Sequence, residues 1–367
     1  MFAAKAGVLL RRFKNTGTIG ARSAVRRRMA RRIWSAEQRR IRRGGKPNPA
    51  LARLGVLIWV PVKAPPVIDM HASQDRGPTA KFLANLRAQT RRDGIGMIVD
   101  LSGVTVLRPL GAVLLLAELD RAYAGQPASS IRLVQCRDPV IHAVMCQVGI
   151  YVTDEGPLAE SDREDVKHWR FATGVATEGV KGGTILEGYE GRLAEGLTSD
   201  LYAGIVEAMT NTVHHAYPDL GGSELRRFIG KRWWAISQER DGQLSIAICD
   251  LGIGIPRSLP RSASFSSGAV RAVWRGLGLD ASDVSAIKVA VELGRTSTGK
   301  KGRGRGLSEI VAAANLSTEG RVLISSNKGV FTSFDGQTHA YNHSHSVRGT
   351  LIYWTVRIAD QEASDDS

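Results

Sequence analysis

The sequence predicts an α/β protein made of two folded units that follow one another along the chain. The first observation is an alternation of short apolar strands with amphipathic helices from about Leu54 to Val152. The second is a further stretch from about Ala176 to about Ala359, in which a long helical pattern at 199–216 is followed by strands and glycine-rich turns. The length of 367 residues fits two units of roughly 150 residues each.

The alternation in the first unit indicates helices that cover one face of a sheet. We predict strands at 55–62, 96–101 and 131–135, and helices at 80–92, 111–123 and 140–148. The helix at 80–92 would turn Phe82, Leu83, Leu86 and Ala88 inward.

The second unit opens with a helix predicted at 199–216. Two strands follow, joined at Asp241-Gly242, a strong hairpin signal. Trp233 and Trp234 lie on the first of these strands, so one indole faces away from the core and marks either a contact surface or a covered sheet face. Helices at 284–293 and 306–315 and further strands complete the unit. The expected divisions are a basic arm at 1–52, a first unit at 53–152, an acidic linker at 153–175, a second unit at 176–360 and a tail at 361–367.

The formal net charge of +15 belongs to the N-terminal arm. Residues 1–47 hold 15 Lys and Arg against the single acid Glu37, whereas the rest of the chain holds 35 basic and 34 acidic residues. A solvated, largely disordered arm is one interpretation. Contact with an anionic surface, either a membrane or a nucleic acid, and a partner-binding helix are the alternatives.

The remaining composition excludes several classes of protein. A hydrophobic fraction of 43% excludes global disorder. Cys136, Cys146 and Cys249 follow no zinc or disulfide spacing. No apolar run approaches the roughly 18–20 residues of a membrane span. We therefore expect a protein of the reducing cytoplasm without a transmembrane segment.

One face of the helix at 199–216 carries polar side chains in register. Glu207, Asn211 and His215 follow one another at i, i+4 and i+8, opposite an apolar stripe. This spacing alone is most often a solvated helix face. The motifs that follow it in the chain give it a different significance.

Two glycine motifs follow in the second unit. A strand that ends at Asp250 runs into Gly252 and Gly254, so a fixed carboxylate stands beside a loop that can approach a ligand closely. The second motif runs from Gly302 to Leu307 and opens a helix, where bare amides suit a phosphate. Taken singly, these motifs are more typical of an ordinary turn and a basic loop.

The run from Gly294 to Lys301 is one residue short of a P-loop. A helix is predicted in front of it where a P-loop requires a strand, so we interpret this run as a lid between the two glycine motifs.

The order of the motifs resembles the GHKL ATP-binding superfamily, which includes gyrase and the histidine kinases. The order is Glu207 and Asn211, then Asp250 with Gly252 and Gly254, then Gly302, Gly304 and Gly306, and finally Gly349-Thr350 on a late strand. The stretch 207–217 is most similar to the serine protein kinases that act as bacterial anti-sigma factors. The resemblance covers about residues 176–358 and implies an ATP-binding α/β sandwich of the Bergerat type.

The resemblance implies ATP and Mg²⁺ as cofactors and gives roles by position. Glu207 would be the general base, and Asn211 would bind Mg²⁺ through its side-chain oxygen, a hard ligand for a hard cation. Asp250 would accept a hydrogen bond from the adenine amino group, supported by Thr350. His215 and the glycine motifs would supply the other nucleotide contacts, namely Gly252, Gly254, Ile255, Gly302, Arg303, Gly304, Arg305, Gly306 and Leu307.

The first unit is similar to STAS domains, the anti-anti-sigma partners of the same kinases. The similarity lies in the stretch from Met97 to Gly111, the leucine-rich helix after it and the strand at 131–134. Signalling members carry a phosphorylatable serine just before the glycine that is Gly111 here. This chain has Arg108-Pro109-Leu110 instead, which favours a docking or regulatory role.

These resemblances predict a regulatory protein that binds Mg·ATP and either hydrolyses it or transfers phosphate to a protein serine in bacterial signalling. The alternative is a nucleotide-gated interaction switch without productive transfer, and the presence of Glu207 favours the enzyme. The expected partners are ATP and a STAS-type or sigma-like regulator, with a homodimer and an anionic surface left open.

Overall fold

The computed structural model describes residues 58–90, 95–125, 130–151, 163–218, 230–259, 282–296, 307–315 and 319–358, with a few positions between 268 and 280. The predicted basic arm, the C-terminal tail and residues 153–162 of the predicted linker lie outside these residues. The fold is mixed α/β, with parallel and antiparallel sheets. No helix among the described residues is both long and apolar enough to cross a bilayer.

The described residues of the first unit form a small parallel sheet and three helices. Its elements are β1 (Ile58–Lys63), β2 (Val67–Ile68), α1 (Ser73–Gln89), β3 (Ile95–Asp100), β4 (Val106–Leu107), α2 (Pro109–Gly125), β5 (Ile131–Val134) and α3 (Pro139–Gln147). The three-stranded sheet has the order β1-β3-β5, and β2 pairs separately with β4. The predicted strands and helices are all present. Helix α1 begins before the predicted Ala80, because Pro78 lies inside the helix and does not break it.

The second unit contains a five-stranded antiparallel sheet. Its elements are β6 (Trp169–Gly174), α4 (Gly179–Leu186), α5 (Leu197–Asn211), a π-helical turn (Thr212–Ala216), β7 (Trp233–Arg240), β8 (Gln243–Asp250), α6 (Ile255–Ser258), α7 (Asp283–Thr296), α8 (Leu307–Asn315), β9 (Arg321–Phe334) and β10 (Gln337–Arg357). The strand order is β6-β7-β8-β10-β9, and each neighbouring pair is antiparallel.

Asp241 and Gly242 form the predicted turn between β7 and β8. Both residues have positive φ, 52° and 70° respectively. This is the conformation that a two-residue hairpin of type I′ requires. The paired strands run in register from Arg240 opposite Gln243 to Trp233 opposite Asp250. The hairpin prediction is confirmed.

Strand β6 lies in the stretch that the sequence assigns to the linker. Among the described strands it pairs with β7 alone, so it lies at one edge of the antiparallel sheet. Trp169 and Ala172 are buried, while Arg170 and Thr173 are half-buried. The strand has few apolar positions and directly follows an acidic stretch. Its composition therefore predicted a linker and not a strand.

Apolar cores lie on both faces of the antiparallel sheet. Helices α4, α5, α7 and α8 cover one face, and α1 and α2 of the first unit cover the other. The adjacent indoles of Trp233 and Trp234 enter different cores, and they are 0% and 1% exposed. The face that carries Trp234 is thus a covered sheet face, one of the two alternatives left open for this pair.

Helix α2 is buried along most of its length because it packs between α1 and the strands β7 and β8. Thirteen of its 17 residues are buried, including the charged Glu118 and Arg121. Glu118 forms ion pairs with Arg121 and with Arg87 of α1. Buried charges require such pairing, so this cluster holds α2 against α1.

Candidate functional site

A cavity of about 420 Å³ opens between α5, the end of β8 and the helices α6, α7 and α8. We call it the α5–β8 cavity. It brings together predicted site residues that are up to 143 positions apart in the chain. These residues are Glu207, Asn211, His215, Asp250, Gly254, Ile255, Leu307 and Thr350.

Asp250 is a buried carboxylate at the C-terminal end of β8, with a residue exposure of 5%. Its Oδ1 accepts a hydrogen bond from the backbone N–H of Gly252 at 2.7 Å. The amide and hydroxyl of Thr350 also donate to the carboxylate. Burial outweighs these hydrogen bonds and raises the pKa of Asp250 to about 6. At neutral pH the cavity therefore contains a desolvated anionic acceptor.

Two glycines allow the backbone to pack closely around Asp250. Gly349 has a φ of +78°, and a Cβ at this position would lie 2.1 Å from the carbonyl oxygen of Asp250. Gly254 has a φ of +77°, and a Cβ there would lie 2.7 Å from Oγ of Ser326. That hydroxyl accepts a hydrogen bond from the N–H of Ile255 at 2.8 Å. Only glycine fits both positions.

Gly252 lies beside the cavity and does not line it. A Cβ at Gly252 would lie 2.2 Å from the carbonyl oxygen of Ala216. The same carbonyl accepts a hydrogen bond from the N–H of Ile253 at 2.9 Å. The described contact of Gly252 is therefore with the π-helical turn, whereas the resemblance implied a contact with the nucleotide.

The C-terminal part of α5 presents Glu207 and Asn211 to the cavity. Nδ2 of Asn211 donates a hydrogen bond to Oε1 of Glu207 at 3.0 Å, and both residues are half-buried. The amide nitrogen is thereby engaged, and the side-chain oxygen of Asn211 accepts no hydrogen bond from a described residue. The donor types in this pair fit the cofactor expected from the sequence, because amide and carboxylate oxygens are ligands of Mg²⁺.

The helix that the sequence extends to residue 216 changes form after Asn211. Residues 212–216 make a π-helical turn, a form that often occurs at functional sites. The hydroxyls of Thr210 and Thr212 donate to the carbonyls of Val206 and Ala208 at 2.8 and 3.0 Å. Side-chain hydrogen bonds of this kind compete for the carbonyls of the helix and perturb its last turn.

His215 lies on the π-helical turn and lines the cavity. Burial lowers the pKa of His215 below its ordinary value, and the neighbouring His214 lowers it further. A neutral imidazole can still donate one hydrogen bond to a phosphate, but it supplies no charge. At neutral pH, His215 would therefore contact a phosphate through an uncharged hydrogen bond and not through an ion pair.

Tyr217 supports the site although no sequence motif gives it a role. Its hydroxyl accepts a hydrogen bond from the N–H of Leu251 and donates one to the carbonyl of Arg232, both at 2.9 Å. Burial raises the pKa of Tyr217 well above its usual range. The tyrosine thus fixes the start of the loop after Asp250. Its place at the end of the stretch 207–217 is the only signal that could have indicated this.

The second glycine motif lies outside the described residues, and with it Gly302, Arg303, Gly304, Arg305 and Gly306. Leu307, at the start of α8, lines the cavity. Helix α7 confirms the helix predicted in front of the run at 294–301, which argues against a P-loop. In the described part of the chain, no group of three or more His, Cys, Asp or Glu side chains could hold a metal ion.

Comparisons with known proteins return no relative. No model of a protein family matches the chain, and neither a curated protein nor a solved structure matches it.

Proposed function

We propose that the chain is a GHKL-type regulatory protein that binds Mg·ATP in the α5–β8 cavity and either hydrolyses it or transfers phosphate to a protein serine. The observation that carries the proposal is the joint lining of one cavity by Asp250, Glu207 and Asn211. A buried acceptor and a polar pair on a helix are the parts that the resemblance to this superfamily requires.

Asp250 provides the adenine-binding end of the proposed site. The exocyclic amino group of adenine is a hydrogen-bond donor, and the desolvated carboxylate is an acceptor held by Gly252 and Thr350. Guanine presents an acceptor at the corresponding ring position and would oppose this carboxylate. If guanine bound, the buried carboxylate would be left without a hydrogen-bond donor. The proposed site therefore favours adenine over guanine.

Glu207 and Asn211 provide the phosphate-binding end. Asn211 would hold Mg²⁺ through its side-chain oxygen, and the bound cation would supply charge neutralisation for the phosphates. Glu207 would accept a proton from the attacking water or serine hydroxyl. The hydrogen bond between the two side chains at 3.0 Å orients the carboxylate toward the cavity.

The sheet gives the proposal further support. A five-stranded antiparallel sheet with α4, α5, α7 and α8 on one face is the arrangement expected of an α/β sandwich of this superfamily. Because the comparisons give no match, the assignments of a STAS-like first unit and a GHKL-type second unit rest on the motifs, the sheet and the cavity.

Calorimetry with a non-hydrolysable ATP analogue and Mg²⁺ tests the binding step. We expect saturable binding with a preference for the adenine over the guanine nucleotide. Asp250→Asn should weaken binding about tenfold or more, because a charge-assisted hydrogen bond is lost. Asp241→Asn at the exposed hairpin is the matched control and should bind as the wild type does. Absence of binding by the wild type would overturn the proposal.

Turnover tests the role of Glu207 separately. Glu207→Gln should keep the affinity for the analogue and reduce phosphate release or transfer by at least about 100-fold, the usual contribution of a general base. Glu190→Gln, on the segment between α4 and α5, is the control. Turnover retained by Glu207→Gln would remove this residue from its proposed role.

A nucleotide-gated switch is the second candidate, and the position of Cys249 favours it. Cys249 lines the α5–β8 cavity, and its Sγ lies 3.8 Å from the carbonyl oxygen of Val113 in α2. The first unit therefore contacts the strand that carries Asp250. Labelled ATP incubated with candidate STAS partners separates the two functions: transfer of label indicates a kinase, and analogue-dependent partner affinity without transfer indicates a switch.

A further inference from the structure

A second polar cavity lies between the two units, at the opposite end of β8 from Asp250. Its volume is about 520 Å³. The turn between β2 and α1 and the start of α2 line one side, and the ends of β8, β9 and β10 line the other. Gln243 of β8 belongs to this lining, seven residues before Asp250, which corresponds to about 23 Å along a strand. The cavity is thus distinct from the α5–β8 cavity.

The two carboxylates of this cavity are engaged by other groups. Asp69 accepts hydrogen bonds from the N–H groups of His71 at 2.9 Å and Ala72 at 3.1 Å. Glu319 forms an ion pair with Arg357 at 2.8 Å. The charge of Glu319 is therefore compensated by Arg357, whereas the Asp69 carboxylate is held by backbone amides and keeps its charge.

The two arginines of the cavity have no carboxylate partner among the described residues. The Arg108 side chain, just before α2, is exposed and makes no hydrogen bond or ion pair with a described residue. Nη1 of Arg321, on β9, donates to Nε2 of His71 over a long 3.4 Å, and its guanidinium lies 4.8 Å from the centre of the Phe334 ring. Because Glu319 is paired with Arg357, these two guanidinium groups face the cavity from both units against one unpaired carboxylate, that of Asp69.

We propose that this cavity, here called the Arg108–Arg321 groove, binds the phosphate group of a small phosphorylated molecule. Two guanidinium groups on opposite walls suit a tetrahedral dianion. Each guanidinium can donate two N–H hydrogen bonds to the oxygens of a phosphate. The volume leaves room for an organic body of about the size of a sugar, and the ring of Tyr353 forms part of the wall. The groove goes beyond the proposed nucleotide site and does not depend on it.

His71 provides a local reporter of occupancy. Its ring lies 6.3 Å from that of Tyr353, measured between centroids. Desolvation lowers its pKa, and the nearby carboxylate of Asp69 raises it. Three guanidinium groups lower the pKa further, those of Arg76, Arg108 and Arg321. A dianion between the arginines would offset their effect and raise the pKa of His71.

The experiment follows the ring protons of His71 by NMR in the full chain labelled at histidine. Inorganic phosphate is exchanged for chloride at constant ionic strength, and His71→Gln assigns the signal. We expect a saturable shift and a rise in the pKa of His71. Arg108→Gln and Arg321→Gln should each weaken phosphate binding about tenfold or more. Arg240→Gln, whose exposed guanidinium pairs with Asp241, is the matched control and should change nothing.

A shift that grows linearly without saturation would overturn the proposal, because it would indicate bulk screening. The proposal also fails if Arg108→Gln leaves the apparent affinity unchanged. Arg108→Gln tests the proposal even if Arg321→Gln fails to fold, because Arg108 is exposed and its replacement leaves the core intact. Phosphate held only by the 15 basic residues of 1–47 would give equal binding in every variant, which also contradicts the groove. Asp250→Asn should leave phosphate binding unaffected, so failure of the nucleotide site is distinguishable from failure of the groove.

Discussion

The indole N–H of Trp234 donates a hydrogen bond to Oδ2 of Asp120 at 3.0 Å, which joins β7 of the second unit to α2 of the first. The same carboxylate oxygen lies 3.5 Å from the guanidinium of Arg232. Trp234 is also paired with Cys249 across the sheet, one residue before Asp250. This hydrogen bond therefore connects the first unit to β7, which pairs directly with the strand that ends at the candidate site.

Trp234→Phe should destabilise the whole chain by about 1–2 kcal/mol, because it removes a hydrogen bond to a charged acceptor. Asp120→Asn keeps an acceptor oxygen and should cost less. Urea unfolding, followed by circular dichroism, measures both free energies. If unfolding occurred in two separate transitions and only one of them moved, the two units would not share a cooperative core.

The buried carboxylate of Asp250 should oppose folding at neutral pH. Its folded-state pKa of about 6 lies above the ordinary 3.8, so the folded protein binds the proton more tightly than the unfolded chain does. Ionisation of Asp250 lowers the free energy of unfolding by its full amount above pH 6, and this loss disappears as the pH falls toward 4. Asp250→Asn should therefore be more stable than the wild type by up to about 3 kcal/mol at pH 8. This gain should shrink at pH 5, and Asp241→Asn should show no such gain at either pH.

Nucleotide affinity should show the complementary pH dependence. Protonation below pH 6 removes the negative charge of Asp250, so binding of the adenine nucleotide should weaken between pH 7 and pH 5. Calorimetry at the two pH values measures the change. An affinity that is independent of pH, or identical in Asp250→Asn, would contradict contact between this carboxylate and the base.

Gly349→Ala should be severely destabilising, by at least about 2 kcal/mol, since it combines a left-handed φ with a steric clash. Gly336→Ala is a matched control: Gly336 has a similar φ of +71°, but a Cβ there would meet nothing within 4 Å. The control should cost only about 1 kcal/mol. Thermal or urea unfolding of the two variants separates backbone strain from close packing on Asp250, and equal losses would exclude a role for packing.

The three free thiols should react at very different rates. Cys136 and Cys249 are buried, and Cys146 is half-buried. Burial also raises the pKa of each thiol, most strongly that of Cys249. A thiol reagent at pH 8 should modify Cys146 slowly and the other two only on unfolding. Mass spectrometry of the labelled peptides gives the order, and early modification of Cys249 would contradict its burial against α2.

The sequence predicted most individual elements because their apolar periodicity is local. The hairpin at Asp241-Gly242 and the buried helix that contains Gly111 both follow from residue types within a few positions. The candidate-site residues were predicted on different grounds. The shared helix face of Glu207 and Asn211 is by itself typical of a solvated surface, and only the order of the motifs, with Asp250 next in the chain, indicated a site.

Other features depend on contacts between distant residues and carry little local signal. The alternation around Trp234 shows that a side chain faces away from the main core, but only the tertiary packing identifies α2 as what covers it. The π-helical turn after Asn211 arises where Ala216 meets the loop that contains Gly252, far along the chain. Strand β6 is short and follows an acidic stretch, and its pairing with β7, about 60 residues later, leaves no signal in the neighbouring sequence.

Burial of α2 against β7 and β8 has a consequence for dividing the chain. A fragment that starts at β6 would expose Ile236, Cys249 and the indole of Trp234 to water on one continuous apolar face. Such a face would promote aggregation of the isolated second unit. Co-expression of this fragment with the first unit as a separate polypeptide should cover the apolar face and restore the solubility of the fragment. We therefore expect the two halves to fold as one unit, although the sequence predicts two units that follow one another along the chain.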